Sequence, residues 1–211
     1  MIPPLTPEQF ARQAGVSRET LARLEAYVGL LRSWNRRINL VGPRTLGDVW
    51  RRHILDSAQL LRHLPARCGT VLDLGSGAGL PGLVLAILGA PGMHLVESDA
   101  RKCAFLREAA RIAAAPVTIH ATRIETVPAF PADVITARAL APLSTLLDHA
   151  EQFVTTHSIL LFLKGEGVQE ELTAARKAWK MEAAVLPSLS DPSGAILRLE
   201  KVTRAGDRGE D

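Results

Sequence analysis

The spacing of apolar residues changes character near residue 66. Before that point, apolar residues recur at helical spacing. The box Thr6-Pro7-Glu8-Gln9 predicts the start of a short helix that ends at Gly15, and Ser17 predicts the cap of a second helix. A further helical pattern covers about residues 48–64. We therefore predict a small helical subdomain over residues 1–66.

From residue 69 onward, short apolar runs alternate with helical patterns. Such alternation is typical of a parallel sheet that is covered by helices on both faces. The candidate strands are 70–74, 93–97, 117–120, 133–137, 159–163, 183–186 and 195–201. The candidate helices are 81–88, 100–114, 142–154 and 168–180. We predict a Rossmann-like α/β domain over residues 67–203 with a mostly parallel seven-stranded sheet, and a disordered tail over 204–211.

Composition excludes several classes of protein. The chain has 211 residues, of which 47% are hydrophobic and 22% charged, as expected for a globular protein with a proper core. Its two cysteines, Cys68 and Cys103, form no C-x-x-C pair, and no His or Cys cluster has metal-ligand spacing. The start of the chain has no signal-peptide pattern, and the apolar run 80–93 is too short to span a bilayer. We expect a cytoplasmic monomer that holds no metal and does not enter a membrane.

Positive charge is concentrated at the start of the chain. Residues 1–65 contain ten arginines against five acids, whereas residues 66–211 contain 15 basic and 17 acidic side chains. A basic front end on a nearly neutral body indicates an anionic partner, such as a nucleic acid, that is contacted mainly by the N-terminus. The alternative is that arginine is simply the preferred surface cation, since the chain has 20 Arg and 5 Lys.

The strongest chemical signal is a glycine-rich turn between the first predicted strand and the next helix. Gly75, Gly77 and Gly79 follow Asp73 at alternate positions, so the backbone can adopt positive φ angles and approach a ligand closely. The free N–H groups of the following helix face the same place. Glu97 ends the next strand, where a carboxylate can accept hydrogen bonds from both hydroxyls of a ribose. These residues predict a nucleoside cofactor.

Three interpretations of this turn compete. Residues 77–82 fit the G-x-G-x-x-G pattern of NAD(P) sites, but the first glycine lies two residues beyond the turn. Asp73 fits S-adenosylmethionine better, because it can anchor the loop or reach the cationic methionine end of that cofactor. The glycines could also simply form a tight corner. S-adenosylmethionine is the interpretation that we favour.

The fourth predicted strand and the residues after it, 133–142, limit the methyl acceptor. Methylation of an exocyclic amine usually requires an Asn/Asp/Ser-Pro-Pro-aromatic motif here, and methylation of a pyrimidine carbon requires a nucleophilic cysteine. Neither feature is present, since Cys68 precedes the first strand and Cys103 lies within a helix. A ring nitrogen such as guanine N7 carries a free lone pair and needs no general base, so orientation alone can drive methyl transfer.

At this point the sequence resembles a known family, the bacterial methyltransferase G or glucose-inhibited division protein B family. The resemblance extends over about residues 30–166, and its most specific parts are the 52–57 element and the Leu80-Pro81-Gly82 extension of the glycine loop. The matching segments, in order, are Trp34-Asn35, Asn39-Leu40, Arg52-His53-Ile54-Leu55-Asp56-Ser57, Asp73 to Gly82, Arg138-Ala139-Leu140-Ala141-Pro142-Leu143 and Lys164-Gly165. It implies that the protein makes 7-methylguanosine in 16S rRNA, at guanine 527 of the 530 loop.

The resemblance also implies roles for individual residues. Gly75, Leu80, Ile124, Glu125 and Arg138 are expected to contact the cofactor. The 124–125 pair would flank the adenine, unless it is an ordinary loop. Arg138 would grip the cofactor carboxylate with two hydrogen bonds, and the alternative is a structural salt bridge.

Substrate-positioning residues follow from the same resemblance. His53 and Asp56 share one face of a predicted helix and would frame the target guanine or its phosphate, or else make a packing hydrogen bond. Lys164 ends the fifth predicted strand, where it would contact a phosphate or guanine O6. The arginines expected to bind RNA phosphates are Arg36, Arg37, Arg51 and Arg52.

The leading hypothesis is an S-adenosylmethionine-dependent rRNA guanine-N7 methyltransferase whose partner is 16S rRNA or the small ribosomal subunit. A small-molecule methyltransferase is the first alternative. The second is a catalytically silent RNA-binding or ribosome assembly factor that needs the cofactor.

Overall fold

A computed structural model describes residues 3–206 of the chain. The first helix, α1 (Pro7–Ala14), is capped by Thr6, whose side chain accepts from the Gln9 amide while the Gln9 side chain accepts from Thr6. Gly15 ends it in the left-handed conformation (φ 66°). Ser17 caps α2 (Arg18–Trp34). The capping motifs therefore predicted both helices correctly.

The segment 48–64 is not the single helix that its pattern predicted. Short helical turns of different types follow one another: a 3-10 helix (Pro43–Asp48), a π-helix (Trp50–Leu55), a short α3 (Asp56–Ala58) and a 3-10 helix (Gln59–His63). His53, Ile54 and Leu55 are consecutive and all buried, so this segment is enclosed on more than one side, unlike a surface helix that buries one face.

Seven strands form one sheet in the order β3-β2-β1-β4-β5-β7-β6. The strands are β1 (Val71–Leu74), β2 (Met93–Val96), β3 (Val117–His120), β4 (Val134–Arg138), β5 (Ile159–Lys164), β6 (Trp179–Pro187) and β7 (Ala195–Arg204). β1 to β5 run parallel, and β7 pairs antiparallel with both β5 and β6. The remaining α-helices are α4 (Gly82–Ile87), α5 (Ala100–Ile112), α6 (Leu143–Ala150) and α7 (Val168–Ala175). The predicted Rossmann-like α/β domain with a mostly parallel seven-stranded sheet is confirmed.

Two hydrophobic clusters cover the two faces of the sheet. Successive residues of β5 alternate between them, with Leu161 in one and Phe162 in the other. The first cluster also contains residues of both N-terminal helices. Tyr27 and Trp34 pack against Phe105 of α5, with ring centroids 6.3 and 5.7 Å away. Residues 1–66 were predicted to form a small helical subdomain. In the structure, their helices share a hydrophobic core with the sheet.

The C-terminal boundaries differ from the predicted ones. α7 ends at Ala175, whereas the predicted helix extended to residue 180, and Trp179 already begins the nine-residue strand β6. β7 extends to Arg204, one residue into the predicted tail. The Arg204 guanidinium lies 4.2 Å from the Trp179 ring centroid and pairs with Glu151, which anchors the strand end. Residues 207–211 lie outside the described part of the chain.

Within residues 3–206, no helix combines the length and the apolar character needed to cross a membrane.

Candidate functional site

The glycine loop between β1 and α4 contains the three glycines in left-handed conformations, with φ of 64°, 56° and 84° at Gly75, Gly77 and Gly79. A Cβ on Gly79 would lie 2.6 Å from the Leu83 Cβ, so this glycine lets the loop pack against α4. A Cβ on Gly77 would meet only the Gly75 carbonyl oxygen, at 3.8 Å. In this loop, therefore, Gly79 packs against α4 and Gly77 faces open space.

The side chain of Asp73, on β1, anchors the glycine loop. This side chain is fully buried, and its Oδ2 accepts from the Gly82 amide (3.2 Å) while Oδ1 accepts from the Thr136 hydroxyl (2.8 Å). Burial raises the pKa of Asp73 to about 6, against the hydrogen bonds that lower it. Of the two roles considered for this residue, the structure shows the anchor.

Glu97 follows β2 and has only 8% of its surface exposed. Its Oε2 accepts from the Gly77 amide (2.9 Å), and its Oε1 accepts from the Asp99 amide (2.8 Å). The carboxylate therefore links the glycine loop to the turn after β2 and fixes the backbone of both.

A cavity of about 540 Å³, hereafter the first cavity, lies at the carboxyl ends of the parallel strands. Seven of the predicted cofactor residues line it: Gly75, Gly77, Leu80, Glu97, Ile124, Glu125 and Arg138. Asp73 and Gly79 are not among the lining residues, because both act within the loop itself. Sequence reasoning did not find the other lining residues, which include Leu40, Val41, Ser98, Lys102, Thr122, Arg123, Leu140 and His149.

A second cavity of about 550 Å³ adjoins the first. The two share the segment after β4, Arg138 to Leu140, where Ala139 has a left-handed backbone (φ 50°). The predicted substrate residues His53, Asp56 and Lys164 all line this second cavity. The lining residues that sequence reasoning missed include Thr45, Glu171, Ser190, Asp191 and Gly194.

Arg138 connects the two cavities. Its guanidinium donates to the Asp56 Oδ2 (3.1 Å), to the Arg52 carbonyl oxygen (3.1 Å) and to the His53 Nδ1 (2.9 Å). The ion pair with Asp56 is the structural alternative considered for this arginine, and it coexists with a position on the wall of the first cavity.

His53 is neutral in these surroundings. Burial and the neighbouring charges of Arg138 and Arg52 lower its pKa to about 3. Because Arg138 can only donate, Nδ1 is the acceptor and Nε2 carries the proton, which it donates to the Thr45 hydroxyl at 2.7 Å. The imidazole thereby fixes Arg138 in place.

Asp56 and Lys164 are also held by neighbouring groups. Asp56 Oδ1 accepts from the Ser190 hydroxyl (2.5 Å) and from the Gln59 amide nitrogen (3.1 Å). Lys164 has an 8% exposed side chain, and its Nζ donates to the Glu171 Oε2 (2.7 Å) and to the Ala141 carbonyl oxygen (3.0 Å).

The four arginines that were expected to bind RNA fall into two pairs. Arg36 and Arg37 are exposed, in the turn after α2. Arg51 pairs with Asp48 (2.9 Å) and donates to the Pro3 carbonyl oxygen (2.9 Å), while Arg52 pairs with Asp191 at the second cavity. Arg51 and Arg52 are thus already paired with acids of the same chain.

No group of three or more His, Cys, Asp or Glu side chains is arranged to hold a metal ion within residues 3–206.

Two solved structures of methyltransferases have folds similar to this one. The glycopeptide N-methyltransferase MtfA, complexed with S-adenosyl-L-methionine, aligns with a TM-score of 0.58 over 70% of this chain and 93% of its own, at 11% identity. The ribosomal protein L11 methylase from Lactobacillus delbrueckii subsp. bulgaricus aligns with a TM-score of 0.57 over 69% of this chain and 76% of its own, at 16% identity. At these identities the similarity supports the fold alone.

Relatives found by their sequences share a much larger fraction of identical residues with this chain than these solved structures do. Two proteins named ribosomal RNA small subunit methyltransferase G match over most of their length. The protein from Rhodospirillum rubrum is 56% identical over 95% of this chain and 100% of its own, and that from Rhodospirillum centenum is 55% identical over 97% and 94%. The model of the family "rRNA small subunit methyltransferase G" matches residues 20–195. The chain therefore belongs to the rRNA small subunit methyltransferase G family.

Proposed function

We propose that this protein transfers the methyl group of S-adenosylmethionine to N7 of a guanine in 16S rRNA. The observation that carries the proposal is the meeting of two cavities of similar size at Arg138 to Leu140. One cavity is bounded by a glycine loop and the other by ion-paired side chains. A donor in the first and an acceptor base in the second would approach each other at this shared wall.

The residues of the first cavity fit S-adenosylmethionine. Gly77 leaves open space beside the backbone, and Glu97 offers a fixed carboxylate for ribose hydroxyls. Ile124 gives the cavity an apolar wall suited to an adenine ring, beside Glu125. We assign cofactor contacts to Gly75, Gly77, Leu80, Glu97, Ile124, Glu125 and Arg138. When bound, the cofactor supplies a methyl group on a positively charged sulfonium.

The charges of the second cavity favour a base over a phosphate. Each cation there has its own acid, in the pairs Arg52–Asp191, Arg138–Asp56 and Lys164–Glu171. His53 stays neutral at physiological pH because its pKa is lowered to about 3. A phosphate would have to compete with these carboxylates, whereas an uncharged purine would not. We therefore place the target base in this cavity, with His53, Asp56 and Lys164 as positioning residues.

The chemistry requires alignment and no proton transfer from the protein. The N7 lone pair forms the new N–C bond as the S–C bond breaks, its electron pair remains on sulfur, and the positive charge moves to the base. The task of the chain is then to hold the two reactants at bonding distance. Arg138, fixed by His53 and Asp56, is the side chain common to both cavities.

The exposed arginines Arg36 and Arg37 would bind rRNA phosphates, while Arg51 and Arg52 would contact RNA only after exchanging their present partners. This assigns RNA binding mainly to the N-terminal segment. The partner would be 16S rRNA or the small ribosomal subunit in the cytoplasm. Since one chain supplies the described lining of both cavities, we propose that the monomer is active.

The proposal is tested with S-adenosylmethionine labelled in its methyl group. The acceptors are unmodified naked 16S rRNA, small subunits that contain it, free nucleotides and buffer alone. We expect label in rRNA or in subunits, and 7-methylguanosine as the only labelled nucleoside after digestion. Label in free nucleotides alone would indicate a small-molecule enzyme, and no transfer with intact rRNA binding would indicate a silent assembly factor.

A further inference from the structure

The three carboxylates that line the second cavity differ in how many of their oxygens accept hydrogen bonds from the protein. Asp56 accepts through both oxygens, from Arg138 on one and from Ser190 and Gln59 on the other. Asp191 also accepts through both, from Arg52 on one and from the Ser193 amide and hydroxyl on the other. In both acids, therefore, each oxygen already accepts at least one hydrogen bond from the protein.

Glu171, on α7, is the exception. Its Oε2 accepts from Lys164 Nζ (2.7 Å) and from the Leu143 amide (2.6 Å), which fixes the carboxylate at the cavity wall. Its Oε1 makes no hydrogen bond to any of residues 3–206. The side chain is 31% exposed and lines the cavity. One oriented negative oxygen is thus available to a ligand there.

We infer that Glu171 is the residue that selects guanine, by accepting hydrogen bonds from its N1–H and 2-amino groups. This rests on the proposed function. Among the four RNA bases, guanine is the one that presents two adjacent donors, N1–H and the 2-amino group, on its Watson–Crick edge. An adenine in the same orientation would present the N1 lone pair to the carboxylate, which is repulsive. Binding through that edge leaves N7, on the opposite side of the purine, free to face the first cavity.

The same carboxylate suits the reaction product. Methylation at N7 leaves a positive charge on the purine, and an anionic oxygen held beside the ring stabilises that charge as it develops. Lys164 then has a definite role: it holds Glu171 through Oε2 and contacts no phosphate. These two roles, charge stabilisation by Glu171 and support of Glu171 by Lys164, differ from the expectation that Lys164 binds a phosphate.

The test uses rRNA in which the nucleotide methylated by the wild-type protein is replaced by inosine, which lacks the 2-amino group, or by 2-aminopurine, which lacks N1–H together with O6. Both retain N7. Loss of a hydrogen bond to a charged group should reduce the wild-type single-turnover rate about tenfold or more for each analogue, relative to guanosine. In Glu171→Gln, which keeps the shape of the side chain, we expect the guanosine rate to fall and the preference over both analogues to shrink to about twofold or less. Because the preference of Glu171→Gln is compared with the preference of the wild type for the same analogue, differences in the intrinsic N7 reactivity of the bases cancel.

Glu170→Gln is the matched control. Glu170 is adjacent on α7 and exposed, but it lines no part of the second cavity, so its base preference should equal that of the wild type. Affinity for S-adenosylhomocysteine and thermal stability show whether Glu171→Gln is folded.

A wild-type protein that methylates guanosine, inosine and 2-aminopurine equally would overturn the inference, even if Glu171→Gln does not fold. A folded Glu171→Gln with undiminished preference for guanosine would also overturn it. Neither result would touch the proposed function, which fails instead if guanosine in unmodified rRNA receives no methyl group at N7.

Discussion

His53 is a histidine that its surroundings keep from titrating near neutral pH. Its ring accepts from Arg138 on one side and donates to Thr45 on the other, and its pKa is lowered to about 3 by burial and by two arginines. A proton could be added only by breaking the contact with Arg138. His53 is therefore suited to hold a guanidinium and unsuited to serve as a general base.

The cysteines are equally unsuited to catalysis. Burial raises the pKa of both thiols, so neither is a thiolate at neutral pH. We expect the single-turnover methylation rate to show no ionisation of a catalytic side chain between about pH 6.5 and 8.5, since the pKa of His53, about 3, lies far below that range and Asp73, with a pKa of about 6, lines neither cavity. Cys68→Ser and Cys103→Ser should retain the wild-type rate.

The measurement is a pH–rate profile under single-turnover conditions for the wild type and both serine variants. A covalent protein–RNA adduct, or an inactive but folded cysteine variant, would contradict this account.

Glu97 illustrates a side chain with two tasks. It holds the Gly77 and Asp99 amides and also lines the first cavity. Glu97→Ala should weaken binding of S-adenosylmethionine by about 1–3 kcal/mol, because a charged hydrogen-bond acceptor is lost and two backbone amides lose their partner. Titration calorimetry measures this directly.

Glu182→Ala, which removes an exposed carboxylate on β6, is the control and should bind the cofactor like the wild type. Equal affinities in Glu97→Ala and the wild type would remove Glu97 from the cofactor site.

The positions of single residues could be predicted from the sequence where local backbone geometry determines them. Gly75, Gly77 and Glu97 line the first cavity as expected, because strand ends and glycine turns place them without reference to the rest of the chain. The partners of Arg52 and Lys164 could not be predicted in this way. Asp191 lies 139 residues from Arg52, and only the complete fold brings the two together.

At the scale of elements, the loop between β1 and α4 depends on backbone conformation as much as on side chains. Gly77 has φ of 56°, and an added Cβ there would meet only the Gly75 carbonyl oxygen at 3.8 Å, while Gly89 has φ of 99° with nothing within 4 Å of an added Cβ. Both positions have a positive φ, and only Gly77 lines the first cavity. They form a natural pair for separating strain from ligand contact.

Gly77→Ala should destabilise the protein by roughly 1–2 kcal/mol, the cost of a left-handed conformation for a residue with a Cβ, and Gly89→Ala by at least as much, because its φ of 99° lies outside the left-handed region that alanine can adopt. Only Gly77→Ala should also weaken S-adenosylmethionine binding, because its methyl group would occupy cavity space. Gly77→Val should abolish binding. Thermal denaturation and calorimetry measure the two effects separately; equal cofactor affinity in all three variants would refute a ligand contact at Gly77.

Element types were more predictable than element ends. Caps at Thr6 and Ser17 predicted α1 and α2 because capping is a local interaction. α7 ends at Ala175, and the strand that follows begins at Trp179, whose ring lies under the guanidinium of the distant Arg204. Similarly, the π-helix at Trp50–Leu55 packs on α1, with the Trp50 and Phe10 ring centroids 5.5 Å apart, a tertiary contact that the helical period does not encode.

At the scale of the whole molecule, alternating strands and helices were sufficient to predict the sheet and its parallel core. Membership of a family of S-adenosylmethionine-dependent methyltransferases also confirms the cofactor that the glycine loop indicated. The relation between the N-terminal helices and the sheet was not predictable from spacing. Tyr27 donates to the Ala78 carbonyl oxygen (2.7 Å), so α2 supports the glycine loop directly. Leu40 and Val41 complete the first cavity from the same segment.

Because the N-terminal helices share a core with the sheet, a test of RNA binding by the basic N-terminal segment must replace arginines that do not pack in that core. Arg36 and Arg37 are exposed, whereas α2 just before them packs into the core. If both arginines contact phosphates, their replacement by Ala should weaken rRNA binding and flatten its log–log salt dependence by up to about one unit per contact. Cofactor affinity should stay unchanged, since neither residue lines the first cavity.

The matched control removes two exposed arginines elsewhere, with Arg107→Ala and Arg176→Ala, and so changes the net charge equally. Affinities for rRNA and for S-adenosylmethionine are measured at several salt concentrations in both double variants. A general effect of net charge would lower rRNA affinity alike in the two proteins, because long-range attraction depends on total charge. A local phosphate contact would lower it only when Arg36 and Arg37 are removed. If that variant keeps the wild-type salt slope, these arginines are ordinary solvated surface, and RNA binding must be assigned to another part of the chain.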